Sequence, residues 1–408
     1  MTEVEASQLE HRLVLRSGRR HRVLRGHPWV FSNQLEGLPD ALVAGDAVQV
    51  VDSAGAFVGR GYAHPNTLIA ARLLTRDPDV LVEDRLIEER LVTALALRER
   101  VCPGRRSFRW VHGEADGLPG LVIDRFEGAD GRPRVVLVAN TAGMERLRPR
   151  IEGILRERFD VMAGFWKCDS RGRALEGLPD DAGSGWGVEA GSEPAWCTED
   201  DGLSIQFEPH GGQKTGLFLD MWDNRRHMSP ALASGRVLDL FSYVGQWGLH
   251  AARAGATEVV CVDRSQAACA MASQNAERNG LAGQVTVACA PCEDYLATVR
   301  DGSLDAVICD PPSFIRSKKH LSRGSAAYRT LFARVLRKVR PGGLAVLASC
   351  SYHLNEERFE RVLTEAAKWA NCRLSVIRRA GQAPCHPVPL WFPEARYLKC
   401  WLVSVDVL

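Results

Sequence analysis

Apolar and polar positions change rhythm three times along this chain. From Leu13 to about Asp77, short apolar runs at Ala47 to Asp52, Phe57 to Tyr62 and Leu68 to Leu74 alternate with Gly, Pro and Asp turns, which predicts a small β-rich module over residues 8–79. Next, Leu81, Leu86, Leu91, Leu95 and Leu97 recur among acids and arginines, so a helix is expected from Val80 to about Arg100. Strand-like Arg109 to Glu114 and Gly120 to Phe126 flank Ala115-Asp116-Gly117-Leu118-Pro119, a hairpin signal of Asp-Gly type. With an Arg-rich helix around Arg146 to Arg158, residues 80–197 read as a small α+β unit. The stretch from Asp180 to Gly191, rich in Gly, Asp and Ser, reads as a mobile loop.

The third segment, residues 198–408, alternates strand, glycine turn and helix. Its strands are expected at Val237 to Phe241, Val259 to Asp263, Val285 to Cys289, Ala306 to Cys309 and Leu344 to Ser349, the pattern of a doubly wound parallel α/β sheet. Two of these strands run into chemistry. One ends in Asp310-Pro311-Pro312-Ser313-Phe314 and the next in Ser349-Cys350-Ser351-Tyr352, so a carboxylate and a thiol reach the ligand-binding edge together. An acid beside a soft nucleophile points to covalent chemistry on a planar base. Alternation along the strand turns Cys309 away from Asp310 and assigns it to the core.

The first turn of this sheet, Asp239-Leu-Phe-Ser-Tyr-Val-Gly245, lets the backbone approach a ligand where a helix begins, and Asp263 follows Asp239 by 24 residues, near the spacing of a ribose-binding acid. A nicotinamide enzyme could share both features. The turn lacks the full G-x-G-x-x-G, however, and hydride transfer leaves Asp310 and Cys350 idle. S-adenosylmethionine is therefore the expected cofactor, and a nucleic-acid methyltransferase the expected activity.

Composition adds constraints. With 408 residues and a net charge of +2, an RNA surface must be a local patch rather than a global excess. Arg12, Arg16, Arg19, Arg20, Arg22 and Arg25 accumulate between Glu10 and Glu36 without an acid, and Arg316, Lys318, Lys319, His320 and Arg323 follow Phe314; both clusters suit phosphates. The 12 cysteines are scattered without a secretory signal, so reduced core residues are expected. Cys289 and Cys292 form a C-x-x-C without a second pair, so no metal is expected. The start of the chain has acids and no apolar core, and no later run approaches the roughly 18 apolar residues of a membrane span. A cytoplasmic protein that does not bind membranes is expected, with its oligomeric state open, a homodimer included.

A series of motifs then carries a family resemblance over nearly the whole length: His27-Pro-Trp-Val-Phe31, Gly113-Glu-Ala-Asp-Gly-Leu-Pro-Gly120 through Ile123-Asp-Arg125, Gly212-Gln-Lys-Thr-Gly216 with Leu219-Asp220, Asp239 to Gly245, Asp310 to Phe314, Ser349-Cys-Ser351, and finally His386-Pro387, Pro393-Glu394 and Tyr397-Leu-Lys399. The chain resembles the bacterial 5-methylcytosine methyltransferases of large-subunit ribosomal RNA, which join an N-terminal PUA domain, a small α/β middle domain and a Rossmann-type methyltransferase domain. The resemblance implies that Cys350 is the nucleophile with Asp310 beside it. It places Asp239, Phe241, Gly245, Asp263 and Asp310 at the cofactor, and Lys214 and Thr215 near its methionine end. Ribosomal RNA, free or in an assembly precursor, would be the partner, met by Arg19, Arg20, Arg22, Arg316, Lys318 and Lys319. The chain departs from the family at Trp222, where an Arg is usual, at Ser313, which replaces a common Lys, and at Tyr352, which replaces a small residue. Ala290 to Asp294 does not match the usual acid, so Glu293 and Asp294 are both candidates for the adenine contact.

Several residues have a plainer reading. Tyr328 either stacks on a flipped base or packs in its helix, Lys214 could be a solvated turn residue, and His386 is expected to fix a loop. Trp29 and Phe31 are expected to pack the small β-module. Two other functions stay open from sequence: methylation of an exocyclic base nitrogen, since Asp-Pro-Pro-x-aromatic is shared with such enzymes, and a non-catalytic RNA-binding assembly factor that keeps a cofactor fold.

Overall fold

Strand formation at the N-terminus follows side-chain alternation: in Ala47–Val51, Val48 and Val50 are fully buried while Gln49 between them is half-exposed. The computed structural model describes residues 10–17, 21–128, 130–187, 195–233 and 235–407. Strands His11–Val14, Trp29–Phe31, Ala47–Val51, Phe57–Ala63 and Ile69–Thr75 form one sheet in the order first, third, fourth, fifth, second. Leu13, Val23, Val30, Val48 and Val50 share its core. The alternating runs predicted three of these strands; the first and second are too short to announce themselves.

A second five-stranded sheet takes Phe108–His112, Leu121–Glu127, Pro133–Ala139, Ala163–Cys168 and Asp181–Trp186 in reverse spatial order, with helices Asp84–Val101 and Ala142–Arg158. The expected mobile loop is corrected here. Asp181–Trp186 pairs antiparallel with Ala163–Cys168, and a Cβ at Gly185 would lie 2.1 Å from the Gly164 carbonyl. Its glycine thus serves close strand approach rather than looseness. Residues 188–191 of that stretch lie outside the described residues. Both sheets belong to one compact unit (residues 1–194, 209–215 and 385–395), and a second unit comprises residues 195–208, 216–384 and 396–408.

The second unit is built on seven strands: β1 (Arg236–Leu240), β2 (Glu258–Asp263), β3 (Val285–Cys289), β4 (Leu304–Cys309), β5 (Val339–Ser349), β6 (Cys372–Ala380) and β7 (Lys399–Val407). They lie in the order β3-β2-β1-β4-β5-β7-β6, the first five mutually parallel and β7 antiparallel to both neighbours. Helices α1 (Gln246–Ala254), α2 (Gln266–Arg278), α3 (Cys292–Thr298), α4 (Leu321–Lys338) and α5 (Glu356–Ala370) connect them. In α4 the buried residues Tyr328, Leu331, Phe332, Val335 and Leu336 recur at three- and four-residue steps, one apolar stripe facing the core. Strand order reverses between β1 and β4, and at such a switch point the loops after the two strands open a crevice. Among the described residues no helix is long and apolar enough to cross a membrane.

Candidate active site

The acids and the thiol of the second unit gather at the carboxyl ends of β1, β2, β4 and β5. After β1 the chain turns through Phe241 (φ 61°), Tyr243 (φ 50°) and Gly245 (φ 84°), so two residues other than glycine adopt the left-handed region in one short turn. Such backbone strain is held only where surrounding bonds fix it. Here Tyr243 N–H donates to Asp263 (3.0 Å), Ser242 N–H to the Val262 carbonyl (3.0 Å) and Phe241 N–H to Cys292 Sγ (3.2 Å). The Asn275 side-chain amide donates to the Val244 carbonyl (3.1 Å).

Asp239 lies fully buried at the root of this turn. Its Oδ2 accepts from Gly248 N–H in α1 (2.9 Å), while Oδ1 has no hydrogen-bond partner in the protein. Burial raises its carboxyl to about 8, against the Gly248 bond and reinforced by the charges of Asp310 and Asp263. Asp263 ends β2 with Oδ1 accepting from Ser265 N–H (2.9 Å) and Oδ2 from Tyr243 N–H (3.0 Å). Each oxygen keeps a further lone pair, enough to accept from a vicinal diol.

These features fit S-adenosylmethionine, which carries a ribose diol and a cationic sulfonium. Three acids converge on the strand ends, and the buried Asp239 Oδ1 and Ser242 Oγ are left without partners in the turn. Phe241 is half-buried beside them, and Gly245 starts α1. Glu293 and Asp294 are exposed in the first turn of α3, where a negative charge is favoured by the helix dipole. Lys214 and Thr215 belong to the other compact unit, in which buried Thr215 donates its hydroxyl to Asp124 and exposed Lys214 takes a left-handed φ of 49°.

Register sets the acid and the thiol. β1 and β4 pair Leu240 with Cys309, and β4 and β5 pair Cys309 with Leu347. Asp310 is therefore the first residue past β4, and Cys350 the first past the longer β5 beside it; both are half-buried. Cys309 is fully buried, as its alternation required.

A hydroxyl network surrounds the Cys350 turn. Ser351 Oγ bonds Ser313 Oγ (2.8 Å) and Tyr328 Oη (2.9 Å), and Ser351 N–H donates to Ser349 Oγ (3.2 Å). Ser313 thus ties the Asp-Pro-Pro loop to the Cys350 loop. Tyr328 is fully buried, its ring tilted on Phe314 at 4.6 Å between centroids. It packs rather than offering a face to a base, and burial pushes its hydroxyl up to about 12, so it stays protonated. Lys399 reaches the same turn from β7, donating to the carbonyls of Ser351 (2.7 Å) and Tyr397 (2.7 Å).

Sequence reasoning gave no role to two features, Lys399, met only as part of the Tyr397-Leu-Lys399 motif, and Asp200. Lys399 comes from an antiparallel β6–β7 hairpin that no strand signal announced. Buried Asp200 accepts from Arg225 (3.0 Å) and from Gln246 of α1 (2.8 Å), fastening the helix after the turn. Only a pairing of residues far apart in sequence creates either contact, so no local signal could have found them.

Of the basic residues, Arg316, Lys318 and Lys319 are exposed between β4 and α4. Arg22 is held bidentate by Glu394 (2.7 and 3.1 Å), and Arg19 and Arg20 lie outside the described residues. Trp29, expected to pack the small β-module, meets His27 and Phe31 there and also residues outside it, its indole N–H donating to Glu114 (2.8 Å) and its ring lying against Phe392.

Residues 13–76 match a family model described as a PUA-like domain, and residues 163–389 one described as an S-adenosylmethionine-dependent methyltransferase. Ribosomal RNA large subunit methyltransferase I of Cronobacter sakazakii is 31% identical over 397 residues, covering 95% of this chain and 98% of that protein. A structure from Streptococcus mutans described as a candidate SAM-dependent methyltransferase aligns with a TM-score of 0.77 at 19% identity, over 97% of this chain and all of that one. Another candidate methyltransferase, solved with SAH, gives 0.79 at 20% identity over the same shares. The likeness to these two structures is one of fold.

Proposed function

This chain belongs to the S-adenosylmethionine-dependent methyltransferase family, and from that premise we propose that it forms 5-methylcytosine in large-subunit ribosomal RNA through a covalent bond between Cys350 and cytosine C6. The observation that carries this reading is the adjacency of Asp310 and Cys350 at the ends of neighbouring parallel strands, next to the cofactor turn. Residues 8–79 serve in it as the RNA-binding domain, 80–197 as the middle domain and 198–408 as the catalytic domain.

Cytosine C5 is a poor nucleophile until the ring's aromaticity is broken. Addition of the Cys350 thiolate to C6 forms the S–C6 bond and moves the electron pair of the C5–C6 double bond toward C5 and the N3 side of the ring. Asp310, carrying a proton, donates it to N3 as the charge develops there, and its other oxygen accepts from the 4-amino group. S-adenosylmethionine, when bound, supplies the methyl group that C5 takes. Loss of the C5 proton then restores the double bond and expels Cys350 as thiolate. Ser313, Ser351 and Tyr328 keep the two loops in register through this cycle. Arg316, Lys318 and Lys319 lie directly beyond the Asp-Pro-Pro motif, suited to the phosphates that flank the target. Methylation of an exocyclic nitrogen would leave the thiol without a task.

The test is to map 5-methylcytosine in ribosomal RNA from cells with and without the protein, and from cells carrying Cys350→Ala. One large-subunit cytosine should lose its methyl group in both deficient strains. An unchanged map would overturn the substrate, and loss of an N-methylated base instead would overturn the atom.

A further inference from the structure

We propose that Lys399 is a positioning residue that holds Cys350 as the thiolate, its ammonium supplying the positive charge at the end of β5 that the neighbouring acids deny. Lys399 opens β7 and pairs across the sheet with Ser349, the residue immediately before Cys350. Only 3% of it is exposed, and Nζ donates to two carbonyls, one of them in the Cys350 turn itself. An ammonium has three donors, so these bonds leave one for a further acceptor. Among the described residues no carboxylate hydrogen-bonds to it.

A buried ammonium without an acid is costly unless a negative charge arises beside it. Burial lowers Lys399 to about 8; the opposing charges are first that of Cys350 and then that of Glu356. Titratable groups face the Cys350 turn from four elements. Asp310 ends β4, Tyr328 comes from α4, Glu356 lies in the first turn of α5, and Lys399 opens β7. Two of these are acids, which supply no positive charge to a thiolate, and one is a phenol that stays neutral. Beyond them, exposed Arg396 pairs with Glu356 (3.8 Å) and Arg358 donates to the His353 carbonyl (3.4 Å), whereas Lys399 is the buried cation that bonds the Cys350 turn itself. The backbone bond to Ser351 makes the same group fix the turn and tune the thiol.

This inference rests on Cys350 as the nucleophile, but its test reads the thiol directly and needs no methyl transfer. Alkylation of Cys350 by iodoacetamide in the full chain is followed by site-resolved mass spectrometry across pH, with exposed Cys289 as internal reference. In the wild type the Cys350 midpoint should fall below the roughly 8.5 of an ordinary thiol. Lys399→Met should raise it by about 1 pH unit or more, as removal of a nearby opposite charge does. Lys399→Arg should restore most of the shift, and the Cys289 profile should stay the same in all three proteins. A midpoint equal in wild type and Lys399→Met would overturn the proposal. So would a wild-type midpoint at or above that of an ordinary thiol, a result that stands even if the methionine variant fails to fold. Failure of the nucleophile reading would look different: a normal Lys399-dependent profile together with undiminished methyl transfer by Cys350→Ala.

Discussion

Asp263 ends β2 and Asp239 lies one residue before the end of the adjacent parallel β1, and the two face opposite demands. Asp263 is held by two backbone N–H groups, so its carboxylate is fixed before any ligand arrives. Asp263→Ala should weaken S-adenosylmethionine binding by roughly 1.5 to 3 kcal/mol, the scale of hydrogen bonds to a charged group; calorimetry reporting the wild-type affinity would remove it from the ribose site. Asp239 is raised to about 8 in the folded chain by burial, above the roughly 3.9 of an unfolded aspartate. The folded state therefore holds a proton that the unfolded state has lost between these values. The resulting stability is complete below pH 4 and is lost as pH rises toward 8. Asp239→Asn should flatten the fall in urea midpoint between pH 5 and 8, with a slope change of up to about 1.4 kcal/mol per pH unit; identical slopes would show that Asp239 is ionised throughout. Both acids could be picked out from the sequence, Asp263 because it ends a strand pattern and Asp239 because it opens the first turn 24 residues earlier. Their partners could not, since Tyr243 N–H reaches Asp263 only through a turn whose left-handed residues are not glycines.

At the scale of elements, the parallel strands and long helices could be read from periodicity, with boundaries displaced by a few residues: the helix expected from Val80 starts at Asp84, and β5 begins at Val339 rather than Leu344. What periodicity missed was pairing across long separations, above all β6 with β7, because β6 is an edge strand whose exposed Val376 and Ile377 break the alternation. That hairpin nonetheless delivers Lys399 to Cys350. On the other flank of the turn, α5 is started by Asn355, whose side chain accepts from Arg358 N–H (3.1 Å). Asn355→Ala should cost about 1 kcal/mol of stability, measured by thermal or chemical denaturation, while methyl transfer persists. A loss of activity without a loss of stability would mean that the cap acts on the site rather than on the helix.

For the whole molecule, a net charge of +2 leaves RNA affinity to local clusters. Replacing Arg316, Lys318 and Lys319 together with glutamine should lower the log-log salt slope of RNA binding by roughly 0.7 to 0.9 for each phosphate that is no longer neutralised, and should slow turnover. Filter binding at several salt concentrations that returns the wild-type slope would leave them as solvated surface. The N-terminal cluster is less simple than its charge pattern suggests, because Arg22 is already paired with Glu394 from nearly the other end of the chain. The central claim is a bond between Cys350 and C6 of the target base, and the most direct measurement replaces that cytidine with 5-fluorocytidine in the presence of S-adenosylmethionine. Fluorine cannot leave as a proton does, so the wild-type protein should remain joined to the RNA through denaturation and map to Cys350, whereas Cys350→Ala should give no adduct and no methyl transfer. A folded Cys350→Ala protein that methylates the RNA at a comparable rate would contradict the account.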